Sequence, residues 1–254
     1  MAGNLLLAGS LNQVWGMVNN LQIVVHSPLV NVQFPANAFL LYDVMITIAT
    51  FDVLPTDDVF PSIFPELPED NPFNDKFDRL QIGSSFLVMN MGTMLLIFTF
   101  YSVLYAIYPC VKFIKNEAKC AKKLEKKIRN MIFWNHTIIF FYEGYLDILI
   151  SSSINLYFLN EGIFTWDTPS LFITNLLSIF LIMSCGFLFI FVVFYLWPRF
   201  DQLKDKSIKS KFEPAYEMLN LRHGKGTMLW PILFMVRRVL FVVGVCALTI
   251  RTEI

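Results

Sequence analysis

Charge is what this sequence has least of: only 16% of its 254 residues are Asp, Glu, Lys or Arg, while 56% are hydrophobic and 26 are Phe. A soluble domain of that length has too little interior to hide so much apolar area, so a water-soluble globule is excluded and the solvent is lipid. Net charge is missing as well. Twenty basic residues balance twenty acidic ones, which removes any bulk attraction to nucleic acid or to an acidic partner. Cysteine is sparse, and none of the four has metal-ligand spacing. Cys110 and Cys120 flank a lysine-rich segment and Cys185 and Cys246 sit inside apolar runs, a pattern of free thiols rather than a disulfide framework. Palmitoylation of Cys110, at a membrane boundary, stays open.

Catalytic constellations are absent too. No Ser/His/Asp, Cys/His or metal-binding arrangement occurs at usable spacing. "HGKGT" at 223–227 lacks the spacing and the preceding strand of a phosphate loop and reads as a Gly-rich hinge. "DNPFNDKFD" lacks the D-x-D-x-D-G order of a calcium loop, and the sequon "NHT" at 135–137 falls at the cytoplasmic entrance of a span, out of reach of glycosylation. The start of the chain has neither a basic leader nor a small-residue cleavage pattern after Leu5–Ala8, which argues against a signal peptide. The expectation is a protein that is not an enzyme and needs no cofactor or metal.

Long apolar runs are what the sequence has instead. Residues 83–109, 131–159, 170–197 and 229–250 each exceed the roughly 20 residues that carry a helix across a ~30 Å hydrocarbon core. Residues 36–54 are just long enough. Residues 4–28 are interrupted by Asn4, Asn12, Gln13, Asn19, Asn20 and Gln22, so this stretch either packs as a span or lies in the interface. The fold expected is an all-α polytopic bundle of five to six transmembrane helices forming one domain over 1–254.

Loop charges orient it. Residues 110–130 hold eight Lys or Arg against two Glu, and 198–228 hold seven against four acidic residues, so both loops are expected on the cytoplasmic side. Residues 52–82 reverse the balance, with eight Asp or Glu against two basic residues, and 160–169 contain only Glu161 and Asp167. The acidic loop 55–82 is therefore exoplasmic. Its five prolines forbid a regular helix and its Phe residues make it too apolar for plain disorder. An extended cap on the bundle is expected, with a cation-attracting vestibule as the alternative.

Within the spans, "FYEGYLDILISSSINL" at 141–156 sets two carboxylates among aromatic and aliphatic side chains. At 100° per residue His136, Glu143, Asp147, Ser151 and Asn155 share about a third of the helix circumference. Such a stripe cannot face lipid, because each carboxylate at mid-span costs roughly 2.5–3.5 kcal/mol. The cations within reach are Arg237 and Arg238 in "FMVRRVLFVV": Arg237 lies ~12 Å and Glu143 ~18 Å from the cytoplasmic ends of their helices, a gap that an Arg side chain spans. Asp43, in 36–54, is the remaining intramembrane acid. Two uses are open: a buried ionic knot of Asp43, Glu143, Asp147, Arg237 and Arg238 that registers helices, or a polar path for cations or protons in which His136, Ser151 and Asn155 take part.

The stretches "VWGMVNNLQIVVHSPLVNVQFPANA", "YEGYLDILISSSINL" and "RRVLFVV" resemble the C-terminal membrane region of large Cys-rich transmembrane proteins of ciliated protists. More distantly, they are similar to the membrane domains of TRP-like and polycystin-type proteins. The matching positions are Trp15, Gly16, Asn19, Gln22, His26, Pro28, Pro35, Asn37, Glu143 and Asp147. Such relatives carry a Cys-rich ectodomain before the first span, and this sequence shows none, so it reads as a fragment or a processed form. The resemblance implies a TRP-like channel or channel-related subunit. The alternative is a non-conducting scaffold or accessory subunit, because a TRP-type pore needs a re-entrant filter between its last two spans and 160–169 is too short to hold one. A secondary transporter lacks the internal repeat it would need. The expected partners are the lipid bilayer and other membrane subunits, in a homo- or hetero-oligomer with no nucleic acid, in the plasma membrane or another cellular membrane.

Overall fold

The computed structural model describes residues 21–30, 35–49, 60–64, 67, 77, 82–114, 129, 131–216, 219 and 221–252, and it contains helices and no strand among them. The seven principal helices are α1 (Ala36–Ala49), α2 (Gly92–Ile114), α3 (Thr137–Glu143), α4 (Tyr145–Asn160), α5 (Pro169–Phe191), α6 (Lys206–Phe212) and α7 (Leu229–Thr252). Among the described residues, three helical stretches are long and apolar enough to cross a membrane: Gly92–Cys110, Pro169–Leu196 and Lys225–Leu248. A fourth crossing exists if the pair Trp134–Glu143 and Tyr145–Asn160, bent by 66°, is one broken span.

The expected run 131–159 is therefore not one straight helix. It opens with a widened π-helical turn, Met131–His136, continues as α3, and breaks at Gly144, where glycine's low helix propensity makes the interruption inexpensive. Of 36–54, residues 36–49 are described and form α1, whose fourteen residues reach about 21 Å. Of 4–28, only the part from residue 21 lies within the described residues. It is helical to residue 25 and leads into the 3-10 turn Ser27–Leu29, which Pro28 initiates. Most of the acidic loop 55–82 and of the basic loop 110–130 falls outside the described residues.

Helix ends follow local chemistry. Pro169 occupies the first turn of α5, and Thr168 before it accepts the Leu171 N–H on its hydroxyl oxygen at 3.3 Å. At the other end of the connection, α4 stops in a Schellman turn: Ile163 N–H donates to the Phe158 carbonyl and Gly162 N–H to that of Leu159, with Gly162 at φ +72°. Ahead of α2, Ser84 and Asn90 clasp a buried turn. The Ser84 N–H donates to Asn90 Oδ1 at 3.2 Å, and Asn90 Nδ2 returns a bond to the Ser84 carbonyl at 2.6 Å.

The described residues group into two compact units. The first draws on 1–93, 146–183 and 236–254. Its core contains Val25, Leu29, Leu146, Ile148, Ile154, Leu181 and Val245, and Phe164 stacks between Phe86 and Phe158. The second draws on 94–145 and 184–235. There Phe212, at the end of α6, is gripped by Trp134, Phe191 and Tyr195, while the Arg199 guanidinium lies 4.0 Å over the Tyr195 ring.

Around a mostly apolar core, the long helices turn apolar faces outward and bury polar side chains, unlike the helices of a soluble protein. Along α5, Ser170, Thr174, Asn175 and Ser178 are buried, while Phe172, Leu176, Phe180, Met183 and Phe187 are exposed. α7 repeats this with Arg238 buried and Trp230, Leu233, Leu240 and Val243 exposed. In water an amphipathic helix turns its apolar stripe inward. Here the large apolar side chains face outward, which fits a hydrocarbon solvent.

Candidate functional site

In the first unit, α4, α7, the helix that ends at residue 25 and the turn after it bring four polar side chains together. Asp147, in the first turn of α4, comes within 3.5 Å of the Gln22 amide nitrogen through Oδ2 and within 3.5 Å of His26 Nε2 through Oδ1. The Gln22 carbonyl oxygen accepts from Arg238 Nη2 at 3.3 Å. One amide thus joins a carboxylate to a guanidinium, its donor end on Asp147 and its acceptor end on Arg238. His26 is held in place by the Gln22 backbone carbonyl, 2.7 Å from Nδ1. Arg238 is 0% exposed and interacts electrostatically with Asp147.

A bare charge in such a place would be severely destabilising, whereas a compensated and hydrogen-bonded pair is tolerated. The arrangement fixes three segments in register. It also presents a carboxylate and an imidazole to each other, a pair able to share a proton.

Polar groups continue along α4 and α5. Ser151, Ser152 and Asn155 are buried on α4, and Thr174, Asn175 and Ser178 are buried on α5. Ser178 Oγ sits 2.5 Å from Asn155 Oδ1 and 2.9 Å from the Thr174 carbonyl, and Asn175 Nδ2 donates to the Thr165 carbonyl at 3.0 Å. An apolar hollow of about 410 Å³ lies beside α4 as well, lined by Ser153, Ile154, Tyr157, Val242 and Cys246 among others.

No family model, curated protein or solved structure matches this chain. The geometry therefore carries the functional argument.

Of the residues singled out from the sequence, the structure gathers Asp147 and Arg238 with Gln22 and His26, and it buries Ser151 and Asn155 beyond them. Arg237, 100° further round α7, is exposed. Glu143 belongs to the second unit, half-buried at the end of α3 and engaged in interactions of its own. His136, also in that unit, stacks on Tyr101 at 5.5 Å. Asp43 is on α1, with its side chain outside the described residues. Pro28 is buried in its turn, Pro35 and Asn37 are exposed, and Trp15, Gly16 and Asn19 lie outside the described residues. Cys110, Cys185 and Cys246 are free thiols, and no group of three His, Cys, Asp or Glu converges on a metal position among the described residues.

Sequence reasoning did not single out Ser152, Thr174, Asn175 or Ser178. A signal was present: Ser170, Thr174 and Ser178 recur every four residues inside an otherwise apolar run, the spacing of one helical face.

Proposed function

We propose that this chain is a multi-pass membrane subunit of TRP-like, channel-related type, in which Asp147 is the residue that handles a cation or a proton. Five to six spans are proposed, with 110–130 and 198–228 cytoplasmic and 55–82 exoplasmic, on the strength of the alternating loop charges. The observation that carries the functional reading is the Asp147–Gln22–Arg238 bridge. An ionisable pair inside apolar helices is expensive, and such pairs mark ion pathways and proton relays. The resemblance to TRP-like membrane domains points the same way.

A second reading has its own support. Arg238, Gln22 and His26 answer the Asp147 charge from within the chain, so the network also serves a non-conducting scaffold or accessory subunit as a register lock. The connection between α4 and α5 spans only residues 161–168, leaving no length for a pore loop there. Any conduction path is then shared with other subunits.

Reconstitution of the purified chain into planar bilayers separates the two. A cation or proton current that falls at least tenfold in Asp147→Asn, with the protein intact, supports the channel reading. No current from the chain alone, with altered current when it is added to a co-purifying membrane channel, supports the accessory reading. A chain that carries no current and joins no membrane assembly overturns both.

A further inference from the structure

We propose that Asp147 exchanges its proton with the side of the α4–α5 connection through a file of buried neutral polar groups between α4 and α5. The inference deepens the membrane-subunit reading and rests on it, since it takes residues 161–168 as exoplasmic.

The file begins at Asp147. Ser151 and Asn155 follow at i+4 and i+8 on the same side of α4, which carries polar atoms about 12 Å along the helix. At the level of Asn155 the file passes to α5, where the Ser178 hydroxyl lies between Asn155 Oδ1 and the Thr174 carbonyl. Asn175 then reaches the Thr165 carbonyl in the connection, and Thr165 is exposed. The six side chains from Ser151 to Ser178 that make up this interior are at most 4% exposed.

Two features turn this packing into a proton path. Ser178 has one hydroxyl proton for two acceptors, and because the Thr174 carbonyl is already served by its helix, the hydroxyl is free to turn between it and Asn155. In addition, Ser152 Oγ, Asn155 Nδ2, Thr174 Oγ1 and Asn175 Oδ1 are buried with no protein partner. Buried polar atoms are paired as a rule, and where protein supplies no partner, single ordered waters do, each held by two to four polar groups. Hydroxyls and such waters pass a proton along, each oxygen accepting one and releasing another, so no net charge other than the proton moves, while the Asn155 and Asn175 amides hold the waters in line without relaying the proton themselves. A hydrated metal cation needs a lumen, which fully covered side chains do not offer. The hollow beside α4 is apolar and does not serve.

At the inner end the proton's destination is the Asp147 carboxylate. The ionisable groups facing it are His26, directly, and Arg238, through Gln22. Arg238 holds the charge balance when the carboxylate is ionised, and His26 offers a second base within 3.5 Å.

The test uses the full chain in proteoliposomes of known sidedness, followed by infrared difference spectroscopy after a pH step on one side. The readout is the protonated-carboxyl band that Asp147→Asn removes. The band should follow a step on the exoplasmic side at least tenfold faster than one on the cytoplasmic side. Thr174→Val, nearly isosteric, and Asn155→Leu should each slow that response at least tenfold. Should Asn155→Leu not fold, Thr174→Val with Ser152→Ala decides. A band that follows the cytoplasmic step, or keeps its rate in Thr174→Val, overturns the inference. Cation current without an exoplasmic response of Asp147 overturns the inference and leaves the channel reading standing. An exoplasmic response without current supports the inference and removes the channel reading.

Discussion

Replacing Arg238 with Met keeps an unbranched apolar stem and removes the guanidinium with its charge. Asp147, 15% exposed, would then keep only His26 and the Gln22 amide, beside the place of a guanidinium that is 0% exposed. Breaking one side of a buried charge pair costs about 3–5 kcal/mol, because the remaining ion keeps its desolvation penalty without its compensation. Asp147→Asn should cost a similar amount by taking the opposing carboxylate charge away from the buried guanidinium. For a chain of this size, about 2–4 °C per kcal/mol converts the loss to roughly 6–20 °C in melting temperature. The double variant Asp147→Asn/Arg238→Met removes both charges, and neutral replacement of a buried pair is often close to neutral in stability. It should recover at least half of the larger single loss. Arg237→Met, one residue away and exposed, is the control and should shift the melting temperature less than either single change. The assay is thermal unfolding of detergent-solubilised protein monitored by size-exclusion chromatography. A double variant no better than the worse single, or an Arg237→Met as damaging as Arg238→Met, would refute the pairing.

Three further outcomes are expected. Gly224, at φ +86° and ψ −175°, occupies backbone space essentially reserved for glycine, so Gly224→Ala should destabilise the 198–228 region by about 1–3 kcal/mol, visible as faster limited proteolysis there. Tyr216 donates to the Leu203 carbonyl at 2.9 Å, and burial, helped by Glu213, pushes its phenol up to about 12. Its unfolded value is near 10, so the unfolded chain loses the proton first. The stability this phenol supplies is complete below pH 10 and disappears as pH rises towards 12, and Tyr216→Phe should abolish that dependence in a thermal-melt series. Finally, impermeant thiol labelling of single-cysteine variants should mark 55–82 from outside intact cells and 119–127 only after permeabilisation, and exoplasmic labelling at 119–127 would overturn the proposed orientation.

The helical class and the apolar stretches that carry it were legible because hydropathy over twenty residues is an additive property of the chain. Pro169–Leu196 and Lys225–Leu248 coincide closely with the runs 170–197 and 229–250. The bend at Gly144 was not legible, since a glycine inside an apolar run is compatible with a straight helix as well as a broken one. For the site, periodicity placed Asp147, Ser151 and Asn155 on one face. It could not choose between Arg237 and Arg238, because the choice depends on how α7 is rotated, which only packing decides. Nor could it give Asp147 its nearest partners. Gln22 lies 125 positions away in the chain and reaches Asp147 through tertiary structure alone.

The central claim is a helical bundle with its polar side chains inside and lipid outside, and α5 tests it most directly. Spin labels placed singly along 172–187 in lipid bilayers report oxygen, which concentrates in hydrocarbon, against a polar nickel complex, which is excluded from it. Phe172, Leu176, Phe180, Met183 and Phe187 should show high oxygen and low nickel accessibility, with Thr174 and Ser178 shielded from both, in a 3.6-residue period. The opposite phase, with Thr174 and Ser178 open to oxygen and the phenylalanines shielded, or nickel accessibility along the whole outer face, would contradict the account.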